Sequence, residues 1–284
     1  MFEVTRTLYD CLVQCASEYR EGVPPKEFTS VWAREPRGQR EQGLSRDQIV
    51  RAAMEILDAE GLEALSMRKL GARLGAGATS LYWHVATKDE LLELAMDQAW
   101  GEIQLDPEKS WRETASDYSY GLRGTMLHHL WLGSLLGGMP SIGPQALRAS
   151  ATLLNAFQRG GFEGMEIDFA VNSVISYTLG ATLPEIAWRT MVFRSGSTEE
   201  EQVEAMTPII EAATAHTPEL RERHREYMSG SYDPAVARNL AFDYGLVALL
   251  DGLAARLLQP DRPGSRTAQS SAVTPAESTA AQPT

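Results

Sequence analysis

Cysteine is scarce in this 284-residue chain: there are two, Cys11 and Cys15. Their i, i+4 spacing puts both thiols on one face of a helix and fits no CxxC redox or metal motif; no other cysteine completes a zinc site. They read as reduced thiols on a packing face, which suits a cytoplasmic protein. No apolar run reaches the roughly 18 residues of a membrane-spanning helix. The opening residues MFEVTRTLYDCLVQ carry acids and no small-residue cleavage site, so no secretory signal is expected. Also missing are a nucleophile elbow, a P-loop, a GxGxxG after a strand and a metal-ligand cluster. Serine, histidine and aspartate are scattered over helical segments. These absences exclude the common enzyme designs and leave no cofactor or metal to expect.

What is present is an ordinary folding composition, 43% hydrophobic and 23% charged, enough for two modest domains. The net charge of −12 does not exclude a nucleic-acid partner, because attraction acts within a Debye length of about 10 Å. Arg34, Arg37, Arg40, Arg46, Arg51, Arg68, Lys69, Arg73 and Lys88 fall in one third of the chain, whereas Glu199, Glu200, Glu201, Glu204 and Glu211 fall in another. That asymmetry fits a DNA-reading head on an acidic body.

Apolar spacing predicts helices almost throughout. Residues 2–20 suit a short amphipathic helix, and Gly22, Pro24, Pro25, Pro36 and Gly38 make 21–43 a linker or arm. Ser45 is an N-cap, with Asp47 and Gln48 in the first turn and Ile49, Ala52, Ala53, Ile56 and Leu57 at helical spacing; Gly61 ends that helix. Ser66 caps a shorter helix carrying Met67, Leu70 and Leu74. Gly75 and Gly77 bracket a tight turn, residues 78–84 form a third helix, and Lys88 opens a fourth running to about Leu105. Helical periodicity returns near 110–130, 144–159, 165–190, 199–214, 218–228 and 234–258, with Pro144, Pro218 and Pro234 in first turns and Gly160, Gly161 and Gly230 closing helices. No stretch alternates with period two, so no sheet is expected. After Pro260, small and polar residues leave nothing to bury, and a disordered tail is expected.

The stretch LEALSMRKLGARLGAGATSLYWHVATKDELL, residues 62–92, is the informative one. Two short helices joined by a glycine-containing turn define a helix-turn-helix. Small residues open the second helix, and Ala78, Thr79 and Ser80 suit base edges in a major groove about 12 Å wide. Through LSMRKLGARLG, TSLYWHV and TKDELL the chain resembles the TetR family, in its tetracycline-repressor-like branch. The resemblance implies that Arg68, Ala78, Thr79, Ser80, Tyr82, Trp83, His84 and Lys88 face DNA. Trp83 is open to a second role, packing between the short helices, and Arg51 and Arg73 to a solvated one.

The resemblance also implies an all-α fold: a three-helix head, residues 44–90, on a helical ligand-binding and dimerisation domain, 91–259, between an extension, 1–43, and a tail, 260–284. FQRGGFEGMEIDFAVNSVISYTLGATLPE and NLAFDYGLVALLDGLAARL look like the helices that pair across a two-fold, near 165–190 and 234–258. Phe242, Leu246, Leu249, Leu250 and Leu253 form an apolar stripe for that homodimer. Arg34, Arg37 and Arg40 either pack on the head or reach a minor groove. An apolar pocket is implied, with Met126, His128, His129, Trp131, Phe157, Asn172, Ser176, Tyr177 and Trp188 as candidate lining. Adjacent histidines on a helix point about 100° apart, so His128 and His129 are not expected to share an ion. Where a chelating glutamate is expected near the end of LGATLPE stands Pro184, with Glu185 one step on. The implied function is a repressor released from operator double-stranded DNA by an apolar or aromatic inducer; an activator or a DNA-organising protein of the same fold is the alternative.

Overall fold

A computed structural model of the chain describes residues 30–33, 44–229 and 233–259. The expectations for residues 2–20, for the arm (Arg34, Arg37 and Arg40 included), for Gly230 and for the tail after Pro260 lie outside the described residues. Of the first of two units, which ends at Pro36, the described residues include the single 3-10 turn Val31–Ala33. Everything else stands in the second unit.

Among the described residues that unit is all-helical. The first helix, α1 (Arg46–Glu60), starts on a reciprocal cap: Ser45 Oγ accepts from the Gln48 N–H at 3.1 Å, and Gln48 Oε1 accepts from the Ser45 N–H at 2.9 Å. Two first-turn donors without helical partners are thereby satisfied. Ile49, Ala53, Ile56 and Leu57 turn inward from it. Ser66 caps α2 (Met67–Arg73) through the Lys69 N–H, 3.2 Å. Gly75 then takes φ +63°, and α3 (Ala78–Tyr82) follows. An L side chain at Gly75 would strain the turn even though open space surrounds its Cβ position. Leu70, Leu81 and Val85 are fully buried beneath the two short helices, each contributing about 1.5–3 kcal/mol of apolar burial.

Thr87 caps α4 (Lys88–Trp100). The helix ends at Trp100, short of the expected Leu105. Past Gly101 the chain turns so that Ile103 is buried against Gly121, where burial of an isoleucine outweighs one more helical turn. The body comprises α5 (Trp111–His128), α6 (Leu132–Leu135), α7 (Pro144–Arg159), α8 (Met165–Ser195), α9 (Glu199–Ala213), α10 (Pro218–Ser229) and α11 (Pro234–Leu257). Helix α5 stops at His128 because His129 leaves helical conformation, φ −110° and ψ 76°. Helix α6 was not foreseen, and α8 continues one turn beyond 190. Helix α5 packs between α7 and α8, α11 lies on α8, and α4 bridges α1 to α7. Trp111, Phe157 and Phe162 form one aromatic cluster with centroids 4.9–5.4 Å apart.

One expectation about packing is corrected. Phe242, Leu246, Leu250 and Leu253 are buried within the protomer and Leu249 is half-buried; α11 lies on α8, and Phe242 also meets Tyr120 of α5, so most of the stripe meant for a partner serves the chain's own core. The outward apolar residues of α8 and α11 include Met165, Phe169, Leu240, Tyr244 and Val247. Both faces of α11 are apolar, and periodicity alone does not choose between them.

Candidate functional site

The short helix α3 has a buried side and an outward side. Leu81 anchors it, while Thr79, Ser80, Tyr82 and Trp83 point outward. Trp83 is 69% exposed, which removes the packing role left open for it. Ala78 opens the helix after an extended Gly77. On α2, Arg68 is exposed, whereas Arg73 pairs with Glu55 and Lys69 with Glu60, both on α1. Lys88 Nζ donates to the Leu62 carbonyl, 3.3 Å, so this lysine fixes the turn before α2. His84 is half-buried at the end of the segment. The head thus presents two hydroxyls, two exposed aromatics and one exposed arginine on a common short segment.

Two polar joints that local sequence does not reveal tie the helices together, the first within the body and the second between head and body. At the first, Asp97 on α4 reaches the start of α7. Its Oδ1 accepts from the Gln145 and Ala146 N–H groups at 2.9 and 3.1 Å. Gly143 precedes α7 with no side-chain cap, and a Cβ there would fall 2.3 Å from Asp97 Cγ, so the glycine makes room for the distant cap. A helix start lacking its own capping side chain was the available signal for such a partner. Burial raises the Asp97 carboxyl above its ordinary value, against the lowering effect of the backbone donors and of Arg148.

At the second joint, His129 is 2% exposed. Its Nδ1 lies 2.7 Å from Asp58 Oδ1 in the last turn of α1, and its Nε2 lies 3.0 Å from Glu102 Oε1 just past α4. Trp131 Nε1–H donates to the same Asp58 oxygen, 2.7 Å. Burial disfavours the imidazolium, but hydrogen bonds and attraction to both carboxylates outweigh it, and the His129 pKa is raised. The joint is assembled from residues 71 positions apart in the chain, so no spacing rule finds it.

Beside this joint lies a cavity of about 320 Å³. Its lining includes Leu57, Asp58, Leu62, His128, Trp131 and Phe193, taken from the end of α1, the end of α5 and the last turns of α8. Of the expected pocket residues, His128 and Trp131 share this cavity. Met126 and Phe157 are fully buried in packed core. Asn172 and Ser176 are exposed on α8, and the Tyr177 hydroxyl donates to the Phe242 carbonyl at 2.6 Å. Trp188 Nε1–H donates to Glu199, 2.9 Å. The expected set is therefore dispersed, because residue type marks apolar burial without saying which cavity it borders.

Glu185 is the carboxylate nearest the position where a chelating glutamate was sought. It is buried and held by Arg123 at 2.7 Å, Arg189 at 2.7 Å and Arg238 at 3.4 Å. Three guanidinium groups occupy its oxygens, so it links α5, α8 and α11.

Comparison with known proteins gives a consistent picture. Residues 49–95 match the family described as bacterial regulatory proteins, tetR family, and residues 105–257 match the tetracyclin repressor-like C-terminal domain. An HTH-type transcriptional regulator of Saccharopolyspora erythraea is 36% identical over 83% of this chain and 94% of its own length. The HTH-type transcriptional repressor DrrR1 of Streptomyces coeruleorubidus is 31% identical over 74% and 77%. Among solved structures, the Streptomyces coelicolor TetR family protein ActR in complex with actinorhodin superposes with a TM-score of 0.61 at 27% identity, covering 75% of this chain and 96% of ActR.

Proposed function

From the premise that the chain belongs to the TetR family of bacterial regulatory proteins, with a tetracycline repressor-like C-terminal domain, we propose that this helix-turn-helix transcriptional regulator is a dimeric repressor released from operator DNA by a small organic effector. Members of this family are regulators, not enzymes. The observation that carries the reading is the outward face of α3. Thr79 and Ser80 offer hydroxyls to base edges, Ala78 and the Thr79 methyl suit a thymine methyl, and Tyr82, Trp83 and His84 border the groove. Arg68 supplies phosphate or base contact, and Lys88 supports the segment from within the head. The reading head is assigned to residues 44–90 and the effector-binding and dimerising body to 91–259.

Release follows from differential affinity of the effector for two head positions. The cavity lined by Leu57, His128, Trp131 and Phe193 touches both head and body, so a molecule seated there favours one arrangement of α1 against α5 and α8. Its walls are mixed, with Leu57, Leu62, Trp131 and Phe193 beside Asp58, Glu60, Glu63, His128 and Arg194, and suit a ligand that carries both an aromatic face and polar groups. ActR, a relative, was solved in complex with actinorhodin. The chelating role sought near the end of LGATLPE finds no free glutamate at Glu185, whose oxygens the arginines hold. The dimer is assigned to the outward residues of α8 and α11, chiefly Phe169, Leu240 and Tyr244.

Fluorescence anisotropy with DNA flanking the chain's own gene, against random competitor at several salt concentrations, tests the reading. Thr79→Ala with Ser80→Ala is expected to abolish preference over competitor while a salt slope persists. Retained preference in that double variant would contradict α3 as the reader.

A further inference from the structure

The joint at His129 has the make-up of a metal site. His128 closes α5 as its last helical residue, while His129 already has φ −110° and ψ 76°. The expectation against a shared ion assumed a continuous helix, and α5 ends between the two histidines. The two rings stand edge to face with centroids 4.5 Å apart. One ligand atom from each of Asp58, His128 and His129 lies within 4.8 Å of the others.

The surroundings supply what a ligating set needs besides ligands. Glu102 sits 3.0 Å from His129 Nε2, across the ring from Asp58, which lies 2.7 Å from Nδ1. A carboxylate behind a histidine in this way orients the ring and raises its basicity toward an ion. Trp131 Nε1–H holds Asp58 in the same manner. His129 Nδ1 and Asp58 Oδ1 stand 2.7 Å apart, a separation that a shared proton bridges, and an ion that displaces this proton finds two donors already facing each other. A tetrahedral ion with metal–nitrogen bonds of about 2.0–2.1 Å needs ligand atoms about 3.3 Å apart. Asp58 and His128 are exposed and can rotate to that spacing, while buried His129 stays as the fixed ligand.

We propose that Asp58, His128 and His129 bind one divalent transition-metal ion, of the zinc, cobalt or nickel class, at the seam between head and body. Imidazole and carboxylate donors suit these ions over magnesium or calcium. On binding, the proton shared between His129 Nδ1 and Asp58 passes to solvent, and the ion takes the nitrogen lone pair and a carboxylate oxygen. No electrons are exchanged. Because Asp58 belongs to α1 and both histidines to the end of α5, the bound ion fastens the head to the body. Its consequence for DNA rests on the repressor reading above; the existence of the site does not.

The test uses untagged, full-length protein in a Cys11→Ser, Cys15→Ser background, stripped with chelator. Cobalt is titrated by its visible absorption, and zinc by competition with a chromophoric chelator. One ion per chain is expected, with His128→Ala and Asp58→Asn each weakening binding by about ten-fold or more while circular dichroism shows both variants folded. Absence of saturable binding up to about 1 mM metal, an affinity of only about −4 kcal/mol, would overturn the proposal. So would binding unchanged in both variants. Stoichiometric binding that leaves operator affinity unchanged would uphold the site and count against the seam as the route of release.

Discussion

Asp97 offers a perturbation in which charge and hydrogen bonding have opposite signs. Its Oδ1 caps two N–H groups at the start of α7, of which that of Ala146 is buried and that of Gln145 part-buried. Asp97→Ala strands both donors. Water reaches the second, so most of the loss comes from the first, and the total is about 2–3 kcal/mol at about 1–3 kcal/mol per unpaired buried group. For a unit of this size the melting temperature falls by about 4–12 °C. Asp97→Asn keeps the amide oxygen as acceptor and removes the buried charge. Because burial raises the Asp97 carboxyl in the folded state, its contribution is complete below the ordinary aspartate value and is lost as pH rises through the folded value. At neutral pH, Asp97→Asn is therefore expected to match or exceed the wild type in stability and to lack that decline. Urea denaturation followed by circular dichroism across pH measures all three proteins. Equal losses in both variants would refute the reasoning, because the charge would then outweigh the cap.

Three further outcomes follow from named contacts. Leu81→Ala, at a fully buried position under α3, is expected to cost about 2–5 kcal/mol and to raise hydrogen exchange in residues 66–85 before the body opens. Glu199 is held below its ordinary value, first by its hydrogen bond to Arg238 and also by Trp188; its contribution is present above that ordinary value and is lost as pH falls through the lowered one. Glu199→Gln should flatten the acid limb of thermal stability between about pH 6 and 3, and an unchanged limb would remove Glu199 from the account. Tyr244→Glu places a charge on an 81% exposed residue of α11. Sedimentation should then show monomers where the wild type shows dimers, with no loss of helicity.

The helical skeleton was legible because its signals are local. Ser45, Ser66 and Thr87 each cap the helix that follows, and Gly75 takes the left-handed turn that the helix-turn-helix requires. The outward face of α3 was equally legible, since Thr79, Ser80, Tyr82 and Trp83 alternate with the apolar anchor Leu81. Helix ends governed by tertiary burial were not: α4 stops at Trp100 because Ile103 has a place against Gly121. The apolar stripe of α11 was visible, but its direction depends on where α8 and α5 lie. Asp58, Asp97, Glu102 and His129 act through partners from 27 to 73 residues away, and a lone aspartate carries no mark of such a partner. His128 and His129 could not be placed by periodicity, because α5 ends between them.

Selection from random double-stranded DNA tests the central claim most directly. The wild-type chain is expected to enrich a palindrome whose half-sites lie about one helical turn, 34–36 Å, or a multiple of it apart. The Thr79→Ala, Ser80→Ala variant is expected to enrich none. A wild-type pool indistinguishable from its input would contradict the account of α3 as an operator-reading helix.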